Sequence, residues 1–134
     1  MAIEQNRSSL MAATTSGPDF VSFQVRDRAA SAKFYQELVG LTPLPGLNPA
    51  ATVFSAGDVA FAVRDPFPGV ELDAIPQLGA GIGVWFHSAD AAGVHTRLVD
   101  AGVEVVQEPI EGPFGLQFSF RDPDGYVVTV HAGG

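Results

Sequence analysis

The feature that most restricts this fold is an order of elements that occurs twice along the chain. After Gly17-Pro18, the stretch DFVSFQV alternates so that Val21, Phe23 and Val25 point to one side while Phe20, Ser22 and Gln24 point to the other. That is a strand with two unlike faces. Asp27 follows as a helix N-cap, Ala30, Phe34 and Leu38 recur at helical spacing, and Gly40 supplies the stop. Beyond it LTPLP, AATVFSA and DVAFAVRD are short, rich in β-branched or aromatic residues and punctuated by Pro, Asn and Gly, so each reads as a strand.

GIGVWFHS starts the same order again, with Ile82, Val84 and Phe86 on one side and Gly81, Gly83, Trp85 and His87 on the other. Ser88 or Asp90 can cap a helix whose apolar stripe is Ala91, Val94, Leu98 and Ala101, and Gly102 ends it. VEVVQEP, GLQFSFRD and GYVVTVH supply three more strands. Val84 follows Phe23 by 61 residues and Gly102 follows Gly40 by 62, an offset constant enough to make a duplicated module the simplest account. The expected fold is therefore α+β: two βαβββ modules forming a curved mixed sheet, with helices on the convex face and a cleft on the concave face. Residues 1–17 read as a flexible tail, 18–65 as the first module, 66–80 as a Pro- and Gly-rich linker and 81–134 as the second module.

Composition narrows the function. The 134 residues suit one core-bearing domain, with 46% hydrophobic and 16% charged residues. A net charge of −8 opposes a phosphate-rich partner, so nucleic acid is not expected. The absence of cysteine removes disulfides, thiolate metal sites and thiol nucleophiles. No apolar run approaches the ~20 residues of a membrane span. Nor does the N-terminus read as a secretory signal, which leaves the cytoplasm as the expected location. There is no G-x-S-x-G elbow, phosphate-binding glycine loop or H-E-x-x-H helix.

Four stretches, DFVSFQVRDRAASAKFYQELVG, GIGVWFHSADAAGVHTRLVDAGVEVV, EGPFG and FRDPDGYVVTV, together resemble the vicinal oxygen chelate superfamily, which includes glyoxalase I, extradiol dioxygenases and bleomycin-resistance proteins. The resemblance implies paired βαβββ modules whose ligand clefts are usually completed by a homodimer. It also implies, for the metal-dependent members, ligands at the start of each module's first strand and on a last strand. Those positions fall here on Phe20, on Gly81 or its neighbours, and on Thr129. Phenylalanine and glycine side chains offer a cation nothing, and a neutral hydroxyl is a poor substitute for carboxylate. The expectation is a pocket without metal or other cofactor, nearest in type to the metal-free bleomycin-resistance branch, holding a small hydrophobic or aromatic molecule without turning it over.

In that pocket Phe20, Trp85 and Phe114, the last in a flexible-looking EGPFG loop, are expected to supply apolar contact, while Ser22, Gln24, His87, Gln117 and Thr129 orient the ligand. The alternative is an enzyme of the same superfamily, using displaced ligands such as His87 and His131 or metal-free acid–base chemistry. His95 is expected at the surface of the second helix, and Asp122 and Asp124 in the DPDG turn are expected to serve local structure.

Overall fold

The computed structural model describes residues 13–46 and 48–133; most of the expected N-terminal tail therefore lies outside the described residues. The first module runs β1 (Phe20–Gln24), α1 (Arg28–Phe34) continued by a π-helical turn (Tyr35–Val39), β2 (Thr42–Pro43), β3 (Ala51–Ala56) and β4 (Val59–Arg64). The second runs β5 (Trp85–His87), α2 (Ala91–Asp100), β6 (Val105–Gly112), β7 (Gly115–Arg121) and β8 (Val127–His131). Each module makes its own four-stranded mixed sheet, ordered β1-β4-β3-β2 and β5-β8-β7-β6. In both, the first strand lies parallel to the last, and the remaining pairings are antiparallel.

This repeated topology is the α+β, two-module architecture expected from the sequence. The register corrects the offset between the halves, because Val25 donates to the Arg64 carbonyl as Ser88 donates to that of His131. Val25 and Ser88, Phe23 and Phe86, and Gln24 and His87 are thus counterparts, 63 residues apart.

Both caps form as expected: the Asp27 carboxylate accepts from the Ala30 N–H at 3.0 Å, and that of Asp90 accepts from the Gly93 N–H at 3.2 Å. The buried face of the first helix is Ser31, Tyr35 and Val39, however, one residue on from the expected Ala30, Phe34 and Leu38. Tyr35 decides this, because its hydroxyl has a partner only on the inner side, while Phe34 still packs half-buried against Phe120 at 5.9 Å between ring centroids. In α2, Ala91, Val94 and Leu98 are buried as expected, but Ala101 is exposed at the C-cap.

Other differences follow from backbone conformation. Gly79 and Gly81 hold φ of +76° and +88°, so the chain turns there; β5 begins only at Trp85, and Ile82 is left 71% exposed. The linker is not featureless, since it makes a 3₁₀ turn at Leu72–Ala74 and buries Leu72 and Leu78. Gln24 pins it by accepting from the Phe67 N–H at 2.8 Å.

The two halves share one core. Phe61 of β4 and Phe86 of β5 meet edge to face at 5.1 Å, and Tyr35 lies 4.8 Å from Phe61 and 6.3 Å from Phe86. On the other side of the seam Tyr126 stacks on Phe23 at 4.1 Å and donates its hydroxyl to the Gln24 carbonyl at 2.7 Å. Asp122 anchors this side. One carboxylate oxygen accepts from the N–H groups of Asp124, Gly125 and Tyr126, and the other accepts from the Tyr35 hydroxyl at 2.6 Å.

Burial pushes the Asp122 carboxyl up from the usual carboxylate range, while its hydrogen bonds pull it back. Burial, reinforced by the neighbouring Asp122 charge, pushes the Tyr35 phenol well above its ordinary value of 10.0. Because the folded state holds that proton more tightly than the unfolded chain does, Tyr35 contributes stability below about pH 10 that is lost as the pH rises through the folded value. Tyr35→Phe is expected to lower stability at pH 7 by about 1–3 kcal/mol, by leaving a buried carboxylate oxygen short of a donor. It should also flatten the loss above pH 10, as read by urea unfolding across a pH series.

Candidate ligand-binding face

Alternation along the strands fixes what the second module shows on the side away from the helices. Phe86, Phe118, Phe120, Val128 and Val130 are buried, so their neighbours Trp85, His87, Gln117, Ser119, Thr129 and His131 face outward. Pairing then sets them in two rows across the sheet. Trp85 stands beside Thr129 and Thr129 beside Ser119; His87 stands beside His131 and His131 beside Gln117.

The row chemistry differs. In the first, the Thr129 and Ser119 hydroxyls are 2.7 Å apart and share one hydrogen bond, so Thr129 is held by a neutral contact next to an indole that is 47% exposed while the pair keeps further polar capacity. In the second, the rings of His87 and His131 are 5.4 Å apart, and His131 Nδ1 is buried without a hydrogen-bond partner among the described residues. Phe114 caps both rows, 6.0 Å from Trp85 and 6.2 Å from His131, with the Trp85 and Phe114 rings nearly perpendicular.

Phe114 is carried on something firmer than the expected loop. Gly112 pairs with Gly115, so Pro113-Phe114 is a two-residue hairpin turn, and the Phe114 carbonyl accepts from the Gly133 N–H. Glycine is required at the second flank, where Gly115 has φ +80° and a Cβ on it would come within 2.6 Å of the Gly133 backbone nitrogen. At the first flank a Cβ on Gly112 would come within 2.9 Å of Gln117 Oε1, but that side chain could move aside.

The structure thus brings together five of the expected contact residues, Trp85, His87, Phe114, Gln117 and Thr129, with His131, expected there under the enzyme alternative, and adds Ser119. The same alternation that marks Gln117 and Thr129 marks Ser119. The other three, Phe20, Ser22 and Gln24, lie on the corresponding face of β1 in the first sheet, and Phe20 is 53% exposed there. Gln24 already spends its side-chain carbonyl on the linker. His95, expected at the surface, is instead half-buried with its ring edge to face with Phe118 at 5.1 Å, Nε2 lying 3.5 Å from Glu108. Asp122 and Asp124 have the expected structural role but reach beyond their turn, Asp124 accepting from Arg26 at 3.0 Å and from the Ser31 hydroxyl at 3.2 Å.

The metal positions can be tested residue by residue. The 63-residue register makes Gly83, rather than Gly81, the counterpart of Phe20. The change of glycine supplies no ligand. With Phe20, Gly83 and Thr129 at the three places, and no group of three or more His, Cys, Asp or Glu placed to hold an ion among the described residues, the side chains present do not fit the divalent metal of the metal-dependent relatives.

Two tandem βαβββ modules with a polar–aromatic outer face define a class of paired-module proteins, and comparison with known proteins places the chain within it. Residues 17–130 match the model of the Glyoxalase/Bleomycin resistance protein/Dioxygenase superfamily, and the chain belongs to that family. Among solved structures it is similar to TnmS3, an antibiotic binding protein from Streptomyces sp. CB03234, at 27% identity and a TM-score of 0.69, covering 92% of this chain and 100% of that one. It is also similar to a glyoxalase/bleomycin resistance protein from the same Streptomyces strain, at 28% identity and a TM-score of 0.66, covering 86% and 99%. A metallothiol transferase, FosB of Shouchella clausii, is 26% identical over 120 residues, 87% of this chain and 80% of the relative.

Because Phe114 shields one edge of the indole, Phe114→Ala is expected to shift Trp85 emission to longer wavelength. It should change stability by less than about 1 kcal/mol, the ring being mostly exposed. Steady-state fluorescence and thermal melts check both.

Proposed function

We propose that this chain is a metal-independent binding protein that sequesters a hydrophobic or aromatic small molecule, cationic ones included, of the antibiotic or natural-product kind. The observation that carries the reading is the grouping of Trp85, Phe114, His87 and His131 on one open face whose matched metal positions hold no ligand. Two aromatic rings and two imidazoles give a planar ligand faces to stack on, and the Ser119–Thr129 pair and Gln117 give it uncharged polar contacts. The likeness to an antibiotic binding protein supports the same reading.

We further propose a homodimer in which Phe20, Ser22 and Gln24 of the first module complete the cleft. Phe20, Trp85 and Phe114 are all about half exposed, and covering them would remove apolar area from water. Sequestration requires only tight binding: ligand at ~1,000 times the dissociation constant leaves little protein empty and stabilises the fold by about 4 kcal/mol. Among the described residues no helix is long and apolar enough to cross a membrane.

A second reading, an enzyme using His87 and His131 as displaced ligands or as an acid–base pair, is favoured by the 5.4 Å approach of the two rings and by the likeness to FosB. Elemental analysis of the purified protein tests the metal-bound form of this second reading, which stoichiometric Zn, Ni, Mn or Fe lost in His87→Ala would support. Turnover of a bound compound that is lost in the same variant without any metal would support the acid–base form.

For the first reading, titration of a panel of aromatic and cationic compounds is expected to quench Trp85, and Trp85→Ala is expected to weaken binding by about tenfold or more. A panel that leaves Trp85 unperturbed would overturn it. Sedimentation is expected to give twice the 14.0 kDa chain mass. A monomer at all concentrations would remove the completed cleft.

A further inference from the structure

The two halves share topology, yet their seams are filled unequally. On one side, the β7–β8 turn plugs the open edge of β1: Tyr126 stacks on Phe23 and donates to the Gln24 carbonyl, and Asp122 lies beneath it. Applying the register, the counterparts of Phe23 and Gln24 are Phe86 and His87 on β5. The counterparts of the Asp122–Tyr126 pair, which close the β7–β8 turn, are Ala56 and Val59, which close the β3–β4 turn.

At that place a carboxylate and a phenol ring have become a methyl and an isopropyl group, and the turn is shorter, Gly57-Asp58 against Pro123-Asp124-Gly125. What results is a cavity of about 750 Å³, lined by Ala56, Val59, Phe61, Phe86 and His87 and reaching Trp85 and His131 on the open face.

The edge of β5 facing this cavity pairs with no strand among the described residues. Thr129 donates to the Val84 carbonyl and Ser88 to that of His131, so Val84, Phe86 and Ser88 direct their backbone groups toward β8. In a parallel pair the intervening residues, Trp85 and His87, direct theirs away from it. On β1 the same geometry is what offers the Gln24 carbonyl to Tyr126. No described residue bonds the His87 carbonyl in that direction, which leaves it free to accept from a ligand as the Gln24 carbonyl accepts from Tyr126.

Building on the small-molecule reading, we propose that this cavity takes a planar aromatic ring bearing a hydroxyl group, seated as Tyr126 is seated in the other half. Its ring stacks on Phe86, its hydroxyl donates to the His87 carbonyl, and the remainder of the molecule emerges past His131 onto Trp85. The ligand class is thereby narrowed from aromatic compounds in general to phenolic ones. The chain itself displays the template.

The experiment is a titration of the full-length ¹⁵N-labelled protein with 2-naphthol and, separately, with its methyl ether 2-methoxynaphthalene. The phenol is expected to shift the Val59, Phe86 and His87 amides, and the ether, which cannot donate, to bind about fivefold or more weakly. Val59→Tyr supplies the missing plug from within and is expected to raise the melting temperature and abolish 2-naphthol binding. Ala56→Leu, a smaller filling, should weaken it and covers the case in which Val59→Tyr fails to fold.

Equal affinity for phenol and ether, unchanged binding in the filled variants, or no shift of these amides in the wild type would each overturn the proposal. So would concentration-dependent shifts of the same amides without ligand, which would assign the cavity to a second copy of the chain. If other aromatic compounds still quench Trp85 in Val59→Tyr while 2-naphthol never reaches the cavity, the phenol inference alone falls.

Discussion

The buried Asp122 carboxylate is the polar hub on which the joining of one half to the other depends. Four donors converge on it, three from its own turn and one, the Tyr35 hydroxyl, from the opposite module. The local three shape the turn so that Tyr126 lies flat on Phe23, and the fourth selects which side of the first helix faces inward. Burying a carboxylate is unfavourable unless its lone pairs are engaged, so the hub works only when the modules are docked. Docking specificity resides there. The Phe61–Phe86 contact adds apolar area that other pairings could also provide.

The outer face owes its character to where the cations go. Arg26 pairs with Asp73 and Asp124, Arg28 with Asp65 and Arg121 with Glu104, while the Arg64 guanidinium lies 3.6 Å over the Phe67 ring and Arg97 donates to the Leu38 carbonyl. These positive charges hold loops and seams together. The surface around Trp85 is left with rings, hydroxyls and an amide, so recognition under the proposed function rests on stacking and uncharged hydrogen bonds. The acidic balance of the whole chain, −8, acts on it only at long range.

Most of the architecture could be read from alternation and caps, because period-2 and period-3.6 patterns report which side of an element is dry. Phe20, Ser22, Gln24, Trp85, His87 and Thr129 all stand on the faces so assigned. The reading failed where a single strong interaction overrode the pattern. Tyr35 turned the first helix by one residue for the sake of Asp122, and two glycines at positive φ cut β5 short. The linker buried Leu72 and Leu78 without any periodicity to announce it. The cavity beside β5 lay further out of reach. It is a difference between Val59 and Tyr126, two residues whose equivalence exists only once the hydrogen-bond register is known.

The π-helical turn at Tyr35–Val39, where both Gly40 and Leu41 donate to the Tyr35 carbonyl, bears on how the two helices match. From Val25 to Gly40 the first half spans fifteen residues, whereas from Ser88 to Gly102 the second spans fourteen. A wide turn is how a helix accommodates one surplus residue without rotating what lies beyond it. The first helix thus holds one residue more than its counterpart between matched landmarks, and the wide turn absorbs it so that Gly40 still ends the helix as Gly102 ends the other.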